Sequence, residues 1–183
     1  MNILEKYNFT FVDVETPNFS NSAISSIALI HITKDGEIIN KYTYVNPEQH
    51  FDNFNIELTG ITPQMAKDAP TFDLVWKEIS KYFEDSIIVA HNTRFDLGVL
   101  HKCFNTYGIQ PPTINYMCTV DLSKKYIVSI NHKLNTLCDL LNIKLVHHQA
   151  DSDTNACMQI FMHIHNQVEL DETEIKTYVP KRR

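Results

Sequence analysis

Asp13 and Glu15 stand two residues apart at the end of an apolar, aromatic-rich run from Tyr7 to Val14. Residues two apart on a strand project to one side, so Phe9, Phe11, Asp13 and Glu15 share a face. The two carboxylates would stand roughly 7 Å apart on a largely buried strand. Unpaired anions there are costly, and a shared cation is the simplest remedy. An exposed strand end with both acids in water is the alternative.

Two later acids are harder to leave in solvent. Asp96 lies three residues before Val99, four before Leu100 and seven before Cys103, on the apolar stripe of its helix. Asp153 stands in the same relation to Ala156, Cys157 and Ile160. Charged residues normally take the solvated face of a helix; here a buried site competes with an N-cap role near each helix start. Four carboxylates drawn from one strand and two helices could meet at a point. Hard oxygen donors suit Mg²⁺ or Mn²⁺, and two such ions about 4 Å apart form the usual clamp for phosphoryl transfer. His148, five residues before Asp153, could act as a general base, its intrinsic pKa being near neutral. With nine histidines in the chain, and His147 next door, that residue alone proves little.

The elements that must position these groups can be read coarsely. Strands are expected at Tyr7 to Val14, Ser26 to Ile32, Ile38 to Val45 and Ile87 to Ala90, with Asp35-Gly36 turning a hairpin. Helical spacing joins Phe72, Val75, Trp76, Ile79, Tyr82 and Phe83, and likewise Phe95, Val99, Leu100, Cys103, Phe104 and Tyr107, which Gly108 stops. Leu134 to Leu141 and Ala156 to Ile164 complete the helices. A meander followed by alternating helices and short strands gives an α/β domain with a mixed central sheet flanked by helices.

The 183 residues suffice for one domain with a full core, and 43% hydrophobic with 21% charged residues excludes disordered and fibrous classes. We expect that domain over residues 1–168 and a short charged tail over 169–183, frayed at Pro180-Lys181-Arg182-Arg183. Cys103, Cys118, Cys138 and Cys157 lack the spacing of a zinc hook and are expected as buried free thiols. No apolar run would span a bilayer, and the N-terminus lacks a secretory signal, so a cytoplasmic protein is expected. The net charge of −6 counts against a nucleic-acid partner unless bound cations reverse the local field.

Taken in order, the motifs resemble one family. Phe11-Val12-Asp13-Val14-Glu15-Thr16 looks like the first motif of the DEDDh exonucleases, which include the proofreading epsilon subunit of bacterial DNA polymerase III. Val89-Ala90-His91-Asn92-Thr93-Arg94-Phe95-Asp96 resembles their second, and His148-Gln149-Ala150-Asp151-Ser152-Asp153 their third. Leu58-Thr59-Gly60-Ile61-Thr62 is similar to the family's Gly-Ile-Thr turn, and His132 to Leu137 to the segment before the third motif. The likeness runs from about Phe9 to His165.

The resemblance implies a ribonuclease-H-like fold and a metal-dependent 3′→5′ exonuclease releasing nucleoside 5′-monophosphates. By position, Asp13 would bridge two divalent ions, Mg²⁺ or Mn²⁺, with Glu15 and Asp153 completing the first and Asp96 supporting the second. His148 would deprotonate the attacking water. Thr16 and Asn92 would lie beside the terminal nucleotide, and Ile61 and Phe95 would make apolar contact with it. The partner expected is the 3′ end of a single strand, DNA ahead of RNA, bound by a monomer in a replication, repair or oligonucleotide-degrading setting. Glu15-Thr16-Pro17-Asn18 departs from the usual Glu-Thr-Thr-Gly, so a differently shaped nucleotide-facing loop is expected. The tail carries no convincing clamp- or polymerase-binding segment, which disfavours a dedicated proofreading subunit. Arg94, Lys102, Lys124, Lys125 and Lys133 are candidate phosphate contacts. A catalytically silent binding module on the same fold is the alternative, disfavoured because all five catalytic residues are present.

Overall fold

The computed structural model describes residues 2–180. Its centre is strand β1 (Asn8–Glu15), hydrogen-bonded antiparallel to β2 (Ser26–Ile32) on one side and parallel to β4 (Ser86–Ala90) on the other. The hairpin strand β3 (Ile38–Tyr44) lies outside β2, while β5 (Ile114–Cys118) and β6 (Lys176–Tyr178) extend the other edge, giving the order β3-β2-β1-β4-β5-β6. The turn between β2 and β3 has Gly36 at φ +87°, a backbone that its lack of a Cβ permits.

Alternation along β1 sorts its side chains between two cores. Val12 and Val14 pack with α4 (Phe72–Ile79) and α5 (Thr93–Tyr107), through Phe72, Trp76, Leu100 and Phe104. Phe9 and Phe11 face the opposite way, against α7 (Leu134–Leu141) and α8 (Ala150–Val168). Phe161 of α8 fills that side, 5.2 Å from the ring of Phe9 and 5.4 Å edge-on to Phe11. The sheet is therefore buried on both faces, and its central strand carries apolar residues in both registers.

Four helices escape the sequence reading: α1 (Ile3–Lys6), α2 (Asn53–Thr59), α3 (Pro63–Ala66) and α6 (Thr119–Tyr126). Three are one or two turns long, and α6 has charged and polar residues along most of its length, so none shows a full apolar period. β5 also escapes, being five residues with Asn115 interrupting its apolar pattern. The expected boundary at residue 168 does not match the structure. Leu170 is buried in the second core, and Lys176–Tyr178 pair with Ile114–Tyr116, so three residues of the supposed tail belong to the sheet and a fourth to the core. Met1 and Lys181-Arg182-Arg183 lie outside the described residues. No helix among the described residues is long and apolar enough to cross a membrane.

Candidate active site

Asp13 and Glu15 sit at the C-terminal end of β1, an interior strand, next to β4, which leads into α5. The N-terminal turn of α8 brings Asp153 to the same end. Carboxylate oxygens of Asp13, Glu15 and Asp153 all lie within 4.8 Å of one another. Asp96 lies beneath them at 2% exposure, in the first turn of α5. Neither helical acid caps its helix: Asn92 and Gln149 hold those positions, leaving Asp96 and Asp153 turned inward.

The crowding is electrostatically unfavourable. Burial, and then Asp96, Glu15 and Asp153 in turn, raise the Asp13 carboxyl well above its ordinary range. Burial lifts Glu15 to about 8, with Asp153 adding to the effect. It lifts Asp96 to about 8 as well, against the backbone amides of Asp96 and Val14, which favour the anion. Burial raises Asp153 to about 6, opposed by the nearby His147 and by a hydrogen bond from the His148 amide. That amide donates to Asp153 Oδ2 at 3.0 Å, whereas Oδ1, on a side chain only 5% exposed, has no partner among the described residues. A buried carboxylate oxygen without a donor needs an explanation, and the three other acids crowded near it invite a cation.

A cleft of about 920 Å³ opens above the acids. Asp13, Glu15, Thr16, Asn92, Phe95, His148 and Asp153 all line it. Ile61, expected to touch a nucleotide, does not: it is 4% exposed and faces a smaller cavity of about 310 Å³ beside Tyr42 and Tyr44. The helix α2 ends in Gly60 at φ +73°, which turns Ile61 inward behind Thr59. His148 borders both spaces. Of the basic candidates, Lys133 lines the cleft, while Arg94 and Lys124 do not. Lys102 donates instead to the Ser20 carbonyl at 2.9 Å, and Lys125 pairs with Glu174.

The loop after Glu15 is held by an extensive network. Asn55 Nδ2 donates to the Thr16 carbonyl at 2.9 Å, and the Thr16 hydroxyl donates to Asn21 Oδ1 at 3.0 Å. Asn18, buried in this loop, donates to the His50 carbonyl at 2.9 Å. The Asp52 amide donates to the Pro17 carbonyl, and the Phe19 amide to Asp52 Oδ2, both at 2.9 Å. This network presents Phe19 and Phe54 to solvent at the cleft rim, 68% and 54% exposed, stacked with ring centroids 5.2 Å apart. Sequence reasoning missed both. The only signal was a pair of phenylalanines in polar segments with no apolar period to absorb them.

His91 was likewise quoted only as part of a motif. Its Nε2 donates to the His132 carbonyl at 3.1 Å, leaving Nδ1 to accept from the Thr119 hydroxyl at 2.9 Å. Burial lowers its pKa to about 4, which keeps this tautomer neutral. The ring thereby ties β4 to α6 and to the rim that carries Lys133. The four cysteines are free and buried.

Comparison with known proteins gives the family and the fold. A family model described as an exonuclease, RNase T, matches residues 10–161. The chain is 36% identical over 158 residues to a PolC-type DNA polymerase III of Bacillus cereus, covering 84% of this chain and 11% of the polymerase. It thus spans about a ninth of the length of that relative. Among solved structures, the nuclease domain of 3′hExo, a DEDDh family member bound to rAMP, superposes with a TM-score of 0.78 at 17% identity, over 95% of this chain and 97% of that one. Exonuclease X in complex with 5′ overhanging duplex DNA gives 0.70 at 22% identity, over 91% and 96%. Both likenesses place the mixed sheet and its flanking helices in the ribonuclease-H-like fold.

Proposed function

The chain belongs to the exonuclease family, and from that footing we propose that it removes nucleoside 5′-monophosphates from the 3′ end of single-stranded DNA. The observation that carries this reading is the meeting of Asp13, Glu15 and Asp153 within 4.8 Å at the floor of an open cleft, with one Asp153 oxygen unpartnered. An all-oxygen donor set with a buried lone pair fits a hard divalent cation, Mg²⁺ or Mn²⁺. Asp13, Glu15 and Asp153 would hold one ion, and Asp13 with Asp96 a second. Such a pair, when bound, supplies charge stabilisation to the attacking and departing oxygens of an in-line displacement.

The protein's own residues supply the rest. His148 borders the cleft, and burial together with His147 lowers its pKa, so its ring is neutral at physiological pH and free to take a proton from water. The hydrogen bond from its amide to Asp153 fixes the spacing between base and floor. Thr16 and Asn92 offer polar contacts to the terminal nucleotide, and Phe95 an apolar one. Ile61 backs the wall from behind. The Phe19–Phe54 stack offers an aromatic surface to a base further along the strand, a mode of binding that tolerates any base. The polymerase relative favours DNA over RNA, and a replication or repair setting follows from the same likeness.

Single-stranded DNA and RNA labelled at the 3′ end, incubated with Mg²⁺, Mn²⁺ or EDTA, test the proposal. Stepwise, metal-dependent mononucleotide release is expected, faster from DNA. A folded protein that binds metal and releases nothing from either strand would instead be a binding module on an exonuclease fold.

A further inference from the structure

One side chain at the cleft transfers no proton in the reaction described above and acts there only through its neighbours' charge. His147 is exposed and makes no hydrogen bond among the described residues. Adjacent residues in an extended chain project to opposite sides, yet the rings of His147 and His148 lie with centroids 3.8 Å apart, inclined at 55°. The cause is the backbone of His148, at φ +66°, in the left-handed region. Histidine enters that region more readily than most residues, but the conformation is still uncommon outside glycine. It folds both imidazoles onto the side of the chain that holds Asp153.

We propose that His147, His148 and Asp153 form a distinct metal site, softer than the carboxylate cluster, that takes Zn²⁺ and silences the nuclease when filled. One ring nitrogen from each histidine and one oxygen of Asp153 lie within 4.8 Å of one another. Two imidazoles and a carboxylate, with a fourth position open to water, are an ordinary zinc donor set. Donors on a common zinc at about 2.0–2.1 Å stand closer together than this; the exposed His147 ring is free to rotate inward and close the gap. The unpartnered Oδ1 of Asp153, on a side chain 95% buried, is the second feature that points to a cation here.

The two clusters share Asp153 but differ in chemistry. Imidazole nitrogen favours zinc over magnesium, and the order of divalent affinities runs the same way. Mg²⁺ prefers the all-oxygen cluster. A zinc ion on His148 occupies the lone pair that the ring needs to accept a proton, and it draws Asp153 away from the other acids. The result is inhibition that excess Mg²⁺ relieves poorly. The binding half of this proposal stands independently of the proposed function; the inhibition rests on it.

Zinc chloride is titrated into the full chain in competition with a chromophoric chelator at about pH 7.5, since a histidine ligand must bind deprotonated. The same titration is run on His147→Asn, whose exposed position leaves folding intact, as its melting temperature will show. The unaltered chain should bind zinc at least about tenfold more tightly than the variant, a loss typical when a metal site is impaired. Zinc should also broaden and shift the His147 and His148 ring resonances together. In Mg²⁺, the zinc concentration that halves mononucleotide release by His147→Asn, taken relative to that variant's own zinc-free rate, should be raised by the same factor as the affinity falls. Equal zinc affinity in the two proteins overturns the site. Reduced affinity with unchanged inhibition overturns the regulatory half alone. Should the unaltered chain prove inactive in every metal, the proposed function fails while the titration still decides the site.

Discussion

The amide of His148 donates to Oδ2 of Asp153 across five residues at 3.0 Å, so the candidate base and the candidate ligand form one unit. The bond satisfies one carboxylate oxygen and leaves the other without a donor among the described residues. It also spans the start of α8, where the helix N-terminus favours a negative charge. Two roles separated in sequence are thereby locked to one piece of backbone.

Replacing Asp13 with alanine should abolish hydrolysis and leave the protein folded. The change removes the one acid that feels the charge of all three others. Circular dichroism and mononucleotide release, measured on the same preparation, check it. Metal-dependent hydrolysis by Asp13→Ala would sink the site assignment.

His148→Ala should slow hydrolysis by roughly 10²–10⁴-fold, the usual range for a lost general base. Affinity for a single-stranded oligonucleotide should stay within the error of a fluorescence anisotropy titration. A variant that turns over at near the normal rate excludes His148 from the proton transfer.

Metal removal should make stability depend on pH in a defined sense. The folded pKa values of Glu15, Asp96 and Asp153 lie at about 8, 8 and 6, above their ordinary 4.5, 3.8 and 3.8. A carboxyl with a raised folded pKa contributes stability that is complete below its unfolded pKa and is lost as pH rises through the folded one. In EDTA, the melting temperature should therefore fall between about pH 5 and pH 8, and Mn²⁺ or Mg²⁺ should restore it at pH 8 by binding the folded state. A profile that is flat in EDTA, or that rises, contradicts the crowding.

Phe19→Ala with Phe54→Ala should raise KM for single-stranded DNA by one to two powers of ten, since each stacked base is worth about 1–3 kcal/mol. Hydrolysis of the 4-nitrophenyl ester of thymidine 5′-monophosphate, which has no second base, should be unaffected. Equal losses on both substrates would mean that the pair shapes the catalytic floor instead.

Asp13, Glu15, Asp96 and Asp153 were legible in the sequence because a charge on an apolar stripe breaks a pattern, and a broken pattern is visible without coordinates. The strands β1, β2, β3 and β4 were legible for the complementary reason. Phe19 and Phe54 were not, because an aromatic in a polar loop breaks no periodicity; its position depends on Asn55, Asp52 and Asn18 holding the loop from a distance. Ile61 was misplaced by one turn of geometry, the left-handed Gly60, which sends it into the wall. Three residues of β6 were read as tail because they carry no apolar alternation: they are held by backbone pairing to Ile114–Tyr116, which leaves no compositional trace.

The place of β1 in the middle of the sheet bears on the order of synthesis. As the chain leaves a ribosome, β1, β2 and β3 can pair as an antiparallel meander long before β4, which begins only at Ser86, has been made. Until then one side of β1 is an open edge of the kind that recruits foreign strands. Charged side chains at such an edge discourage wrong pairing, and β1 ends in Asp13 and Glu15. The acids that crowd the finished cleft thus put charge just past Asn8–Phe11, the stretch that waits for β4.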